Sequence, residues 1–503
     1  MTRPEGRAFW ASGWLWFGLA LVSVLPFVVA PLPMMPDHFN HVARYHIMLE
    51  HGRSAFLARY YSLDWIIMGN LGVDLLMIPL GRVLPVETAS TLIVALIAPL
   101  TVAGIYLLAR AVHGQVPATA LLALMMIYTF SFLYGFENYR LALALALMCA
   151  AAWIRLADRA GWWRWGVMAP FSFLVWLVHV SGWGVMGLIV LGWELSRLPS
   201  GLGVRGLARA LGQVFVRMLP LALPLALIPL WRQAAAGPGM TGYLPWRSKL
   251  RNVLEFLDAE VAWLDRGFVA LLLLLGLWLM IRQWHGRNRA MTWAFGVLLS
   301  AYIVMPSYLF SSYFADIRVL SAVGILFFLA LPAIEGRKAQ LVAALALALF
   351  GLRLTEISMG WVRRGAAMEA ELAALVHVPR GARIAALSTE GHCDSFVLRG
   401  YEHLASYAIT RRDAFVNTQW DDPGSQIVRP VYNLGHGFND RLSVLVSRPR
   451  RWCFGETLET RLATLPRDRF DFVWMFGEQA QRPWLALVFE GPQGRLYRIV
   501  KAN

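Results

Sequence analysis

What most constrains this chain is the recurrence of apolar runs long enough to cross a bilayer. A hydrocarbon core of about 30 Å takes roughly twenty residues of helix. Such runs stand near 9–31, 86–109, 117–134, 139–157, 165–180, 182–197, 213–231, 267–284, 291–309, 317–334 and 339–357, so about eleven spans are expected. In lipid only helices and closed barrels satisfy their own backbone, and unbroken runs of this length read as helices. Composition agrees: of 503 residues 58% are hydrophobic and 15% charged, against about a quarter charged in soluble domains. The first run follows two arginines, is too long for the apolar part of a secretion signal and lacks a convincing small-residue cleavage site. It is read as a retained first span.

Orientation follows from the loops. Arg110, then Arg155, Arg159 and Arg164, then Arg197, Arg205, Arg209 and Arg217, then Arg282, Arg287 and Arg289, then Arg337 and Lys338 all fall on one side. The positive-inside rule makes that side, with the N-terminus, the cytoplasmic face of the membrane. Topology thus absorbs most of the net charge of +15. No soluble segment carries basic residues interleaved with aromatics, and nucleic acid is not an expected partner.

An odd number of spans places residues 358–503 outside. Their composition is that of a soluble α/β domain following a 1–357 transmembrane domain. Strands are expected at 381–388, 471–477, 485–490 and 495–500, the last two joined by the turn Gly491-Pro492-Gln493-Gly494. The domain holds no metal-ligand spacing, phosphate loop or nucleophile elbow, and no chemistry is expected of it. Of the three cysteines, Cys149 lies in a span; Cys393 and Cys453 share this domain and could pair if it is extracytoplasmic.

The densest polar stretch, Pro36-Asp37-His38-Phe39-Asn40-His41-Val42-Ala43-Arg44, directly follows the first span. A helix opening on Pro36 brings Asp37, His41 and Arg44 to one face. A carboxylate there could accept a proton from an attacking hydroxyl, and a histidine or arginine could bind a departing phosphate. The plainer alternative is a surface helix with its polar residues turned to water. Glu137, Asn138, Arg140, His179, Asp316 and Arg318 also stand at outer span ends, where orientation does not demand them. Each has a plain alternative: Arg140 snorkelling, His179 satisfied in a core, Asp316 paired with Arg318. Together with Asp37 they predict one polar cavity between helices on the outer side.

Two further outer segments fit around such a cavity. The remainder of the first outer loop, 32–85, is apolar but broken by Gly69, Gly72 and Pro79, which predicts interfacial helices. The loop at 242–252 sets Arg247, Lys249 and Arg251 beside Tyr243 and Trp246, against the positive-inside trend. Those cations either seat the phosphate of a lipid carrier or form the basic face of an amphipathic surface helix.

These features resemble the GT-C superfamily of integral membrane glycosyltransferases: an acidic motif after the first span, interfacial helices in the first outer loop, many further spans and an extracytoplasmic C-terminal domain. Asn40-His41-Val42-Ala43-Arg44, Asn70-Leu71-Gly72-Val73-Asp74-Leu75 and Gly135-Phe136-Glu137-Asn138-Tyr139-Arg140 are similar to blocks of one bacterial branch. So are Ser406-Tyr407-Ala408-Ile409, Arg411-Arg412-Asp413-Ala414-Phe415 and Leu496-Tyr497-Arg498-Ile499. The resemblance implies transfer of a sugar from a polyprenyl-phosphate carrier to a hydroxyl of a glycan, lipid or protein on the outer face of a bacterial inner membrane, with the C-terminal domain in the periplasm, in envelope, exopolysaccharide or glycolipid modification.

Asp37 then takes the part of general base or organiser of the acceptor. His41 and Arg44, helped by Arg318 or by Arg247, Lys249 and Arg251, would neutralise the leaving phosphate. Glu137, Asn138 and His179 would bind sugar hydroxyls or balance the charge of the cavity, with His38, Arg140 and Asp316 counted among its walls. His38 replaces the second carboxylate of the doubly acidic form of the motif, and a divalent metal is left open. No cofactor beyond the lipid-linked donor is assigned. The alternatives are a transporter or flippase, whose usual repeats and mid-span charges are not found here, and a non-catalytic subunit of a polysaccharide assembly machine.

Overall fold

The apolar runs set the architecture. In the computed structural model, which describes residues 8–159, 161–227, 229, 240–243, 245–309, 313–389, 401–422, 424–447 and 456–501, each of them contains a helix. Cys393 and Cys453, and with them their expected pairing, lie outside the described residues. The protein is a polytopic helical membrane protein with a C-terminal sheet-containing domain. Val86–His113, Val204–Leu227, Ala262–Arg282 and Gly336–His377 are long and apolar enough to cross a membrane, and Gly13–Val29, Ala118–Leu133, Val180–Ser196 and Arg289–Val304 are shorter apolar helices. Helix contact in such a bundle depends on small residues: a Cβ on Gly192 would fall 2.2 Å from the Ala294 Cα across the Val180–Ser196 and Arg289–Val304 contact.

One run departs from a regular span. Residues 117–134 form a 3₁₀ segment, Ala118–Met126, then a break, then the single turn Phe130–Leu133, all of it buried. A broken backbone at membrane depth is tolerated where protein surrounds it and its freed carbonyls find donors. Two buried arginines supply them. Arg140 donates to Met126 O at 3.2 Å and Ile127 O at 2.8 Å, and Arg353 to Tyr128 O at 2.9 Å.

The boundary expected at residue 358 falls inside a single helix, Gly336–Leu372, of 37 residues. At 1.5 Å per residue it is about 55 Å long, more than a bilayer needs, and its far end docks on the C-terminal domain, where Glu371 accepts the Gly494 N–H at 2.9 Å. Among the described residues, that domain's main sheet has five strands: β1 (Arg383–Ser388), β2 (Phe415–Val416), β3 (Phe472–Phe476), β4 (Leu485–Glu490) and β5 (Gly494–Ile499), in the order β2-β1-β3-β5-β4. β1 runs parallel to β2 and β3, whereas β5 pairs antiparallel with β3 and with β4. The apolar β3 is buried along its whole length, as a central strand covered on both faces should be.

The first loop and this domain are joined by a continuous seam. Tyr61–Leu63 pairs antiparallel with Val428–Pro430. Asp413 takes His46 at 2.8 Å and the Ser54 hydroxyl at 3.0 Å, Asn40 donates to Thr418 O at 2.9 Å, and Arg411 holds Glu87 at 2.9 Å.

Candidate functional site

The Pro36–Glu50 helix opens, as its sequence predicts, with Pro36 at the first helical position and Asp37 in the first turn. The Asp37 N–H, which the helix leaves free, donates to Tyr134 O at 3.0 Å. Next to it Gly135 has φ +106°, and a Cβ there would lie 2.9 Å from Asp37 Cβ and 3.0 Å from the His38 nitrogen. Only glycine lets this turn adopt that conformation and press against the start of the helix. One helical turn on, the His41 ring stacks on Tyr45 and lies 4.9 Å from the Trp420 ring.

Asp37 and His41 open onto a cleft of about 180 Å³. Glu137, Asn138, His179 and Arg318 join them from the helical bundle, so six residues expected to converge do so. The opposite wall is Trp420, Asp421, Asp422, Gln426, Asp440 and Arg441. The C-terminal domain, of which no chemistry was expected, thus lines the cleft. Glu137 is held from behind, its Oε1 2.5 Å from His38 Nδ1 and its Oε2 accepting the Tyr45 hydroxyl at 2.8 Å. Asn138 Oδ1 accepts the Val73 N–H at 2.6 Å near the start of the Gly72–Leu80 helix. Arg318 lies 3.1 Å from His179 Nε2 with its guanidinium 4.1 Å over the Phe136 ring. Arg441 pairs with Glu402 at 2.6 Å and donates to the Tyr134 hydroxyl at 3.3 Å.

The electrostatics of the cleft separate the roles of these groups. Burial, with Glu402 and Glu137 adding to it and Arg441 and Arg318 opposing it, pushes the Asp37 carboxyl up to about 7. His41 is driven well below the usual histidine range by burial and then by Arg44 and its histidine neighbours. In the empty cleft its uncharged ring can donate or accept a hydrogen bond.

Several expected residues lie elsewhere. His38 is fully buried between Glu137 and Ser90, so it orients the wall without facing the cleft. Arg44 bridges Asp74, at 3.0 Å, and Gln426. Arg140 is spent on the broken 117–134 segment, as described. Asp316 pairs with Lys249 at 2.8 Å and not with Arg318, and Lys249 also caps Tyr302 O at 3.0 Å and Met305 O at 2.7 Å. Lys249 is thus a buried tie. Arg247 and Arg251 are exposed, the first 5.5 Å from the Trp246 ring and the second 4.0 Å from Glu255, and neither lines the cleft.

Sequence reasoning missed Glu402, His403, Trp420 and Arg441. The signal available was Trp420-Asp421-Asp422, an aromatic beside two carboxylates, six residues after Arg411-Arg412-Asp413-Ala414. Among the described residues no group of three or more His, Cys, Asp or Glu side chains is arranged to hold a metal ion.

The bundle, the long first-loop helix and the C-terminal domain over it together form a fold shared with a solved membrane protein. One solved structure with this fold is ArnT from Cupriavidus metallidurans in the apo state, at 14% identity and a TM-score of 0.51, covering 97% of this chain and 98% of that one. No family model and no curated relative matches the sequence.

Proposed function

We propose that the chain is a glycosyltransferase that moves a sugar from a polyprenyl-phosphate carrier to an acceptor hydroxyl on the extracytoplasmic face of the inner membrane. The observation that carries this reading is the convergence of Asp37 with Arg318 and Arg441 in one cleft roofed by the C-terminal domain. An apolar groove of about 240 Å³, lined by Phe256, Leu272, Leu299, Val323 and Phe327, supports a lipid-linked donor. Arg318 and Phe327 belong to the same Ala315–Ala330 helix, about 14 Å apart at 1.5 Å per residue. The same nine-residue separation puts them half a turn apart round the helix, so a carrier with its phosphate at the arginine lays its hydrocarbon tail in the groove by passing round that helix.

In this reading the acceptor hydroxyl gives its proton to the Asp37 carboxylate while its oxygen bonds to the anomeric carbon. The bond from that carbon to the phosphate oxygen breaks, and its electron pair leaves with the phosphate. A base that titrates near neutral pH is well matched to the task. Arg318 and Arg441 face the charge that grows on the phosphate, where preorganised cations count most. One displacement at the anomeric carbon inverts its configuration. The test uses purified protein in lipid nanodiscs with polyprenyl-phosphate sugars and candidate acceptors: Asp37→Asn abolishes transfer while the protein stays folded. Unaltered turnover in that variant overturns the assignment.

A further inference from the structure

Opposite Asp37 across the seam stands a histidine that none of the roles above uses. His403, in the short Tyr401–Leu404 helix of the C-terminal domain, is fully buried, and neither of its ring nitrogens makes a hydrogen bond among the described residues. Its Nε2 lies 3.6 Å from Asp37 Oδ1 and 3.7 Å from Glu402 Oε1. Asp37 Oδ1 is likewise buried without a hydrogen bond, although the Asp37 side chain as a whole keeps 10% of its surface open to the cleft. The Trp420 ring, 5.4 Å from His403 and 4.9 Å from His41, wedges the two imidazoles apart and closes the space around the carboxylate.

A buried polar atom without a partner is costly, and two complementary ones facing each other just beyond hydrogen-bond distance point to a donor and an acceptor that a small side-chain adjustment joins, with or without substrate. The tautomer follows from the surroundings. Nε2 faces two carboxylate oxygens, so the ring proton resides there and Nε2 is the donor. Burial drives His403 down to about 3, with Glu402 opposing and Arg441 assisting, so the ring is a neutral donor throughout the physiological range.

We propose that His403 is a positioning residue for Asp37: its Nε2–H donates to Asp37 Oδ1, fixes the carboxylate and leaves the other oxygen to meet the acceptor hydroxyl. Its role in turnover rests on the function proposed above, but the contact itself does not. The C-terminal domain then completes the site, because the acidic helix of the first loop supplies a base that only the seated domain orients. The proton taken from the acceptor stays on Asp37, and His403 gains and loses nothing in the transfer step.

The groups facing Asp37 are His403 and Glu402 from the Tyr401–Leu404 helix, Glu137 and Arg318 from the bundle, and Arg441 and Tyr134 from loops. A donor to the ionised carboxylate lowers its midpoint, so removing the donor raises it. The experiment is an infrared titration of full-length protein in nanodiscs without substrate, following the carboxyl C=O band that Asp37→Asn abolishes. His403→Leu and His403→Asn, which cannot reach Oδ1, are expected to move its midpoint upward by about one pH unit. His403→Gln, which keeps a donor near the Nε2 position, is expected to leave it close to the wild-type value. Equal midpoints in folded wild type and His403→Asn overturn the proposal, as does the absence of a titrating Asp37 band in the wild type. The two readings fail separately: wild-type protein that shows the shift but transfers no sugar refutes the glycosyltransferase reading alone, and active protein without the shift refutes the His403 role alone.

Discussion

Replacing Lys249 with methionine separates scaffold from site. The Lys249 ammonium ties the Trp246–Glu255 helix to the start of the Ala315–Ala330 helix through Asp316 at 2.8 Å, and it caps two carbonyls at the C-terminal end of Arg289–Val304. Asp316 is 1% exposed and the Lys249 side chain 10%, so solvent screens the pair little and neither group is left alone without penalty. Removing one partner of such a buried pair costs about 3–5 kcal/mol. Lys249→Met therefore lowers the midpoint for heat-induced loss of monodisperse protein in detergent by several degrees. Asp316→Asn costs less, since the two carbonyls still hold the ammonium. The double variant recovers part of the loss, with a coupling of about 1–3 kcal/mol between neighbours in direct contact. A Lys249→Met protein with the wild-type midpoint and a specific loss of polyprenyl-phosphate binding refutes this reasoning and returns the lysine to the phosphate.

Other consequences can be checked independently. Arg140→Leu strips donors from Met126 O and Ile127 O in the broken 117–134 segment and is expected to cost about 3 kcal/mol or more, seen as poor recovery of folded protein, with Arg140→Lys intermediate. Asp37 titrates near 7 because its carboxylate is buried, so between its unfolded value of 3.8 and 7 the folded state holds a proton that the unfolded state has lost. Stability falls as pH rises through that window, and Asp37→Asn is expected to raise the thermal midpoint at pH 8 while leaving it nearly unchanged at pH 4. For the same reason the rate of wild-type transfer climbs with pH up to about 7 and then levels. Arg441→Lys keeps the charge but loses the planar fork that spans Glu402 and the cleft, so KM for the lipid-linked donor rises about tenfold, equivalent to about 1.4 kcal/mol.

Much of the fold was legible because its determinants are local. Apolar length marks each helical run, Pro36 marks the start of the first-loop helix, and the turn at 491–494 marks the β4–β5 hairpin. The 117–134 segment was misread as an ordinary span because its break depends on carbonyl partners at Arg140 and Arg353, and the second of these lies more than two hundred positions away. Span-end position singled out Asp37, Glu137, Asn138, His179 and Arg318 for a physical reason, the cost of a polar group near lipid. That same reason flagged Arg140 and Asp316, because it registers burial without saying whether the group satisfied there is protein or substrate. Position alone could not reveal His403 and Arg441, which meet Asp37 and Tyr134 only after the Tyr61–Leu63 and Val428–Pro430 strands pair.

The most direct test of the central claim is a cryo-electron microscopy structure of the protein with polyprenyl phosphate bound. The account predicts phosphate density between Arg318 and Arg441 on the Asp37 side of the cleft, with the first isoprene units entering the groove along Val323 and Phe327. Phosphate seated instead on Arg247 and Arg251, with the cleft around Asp37 empty, contradicts it.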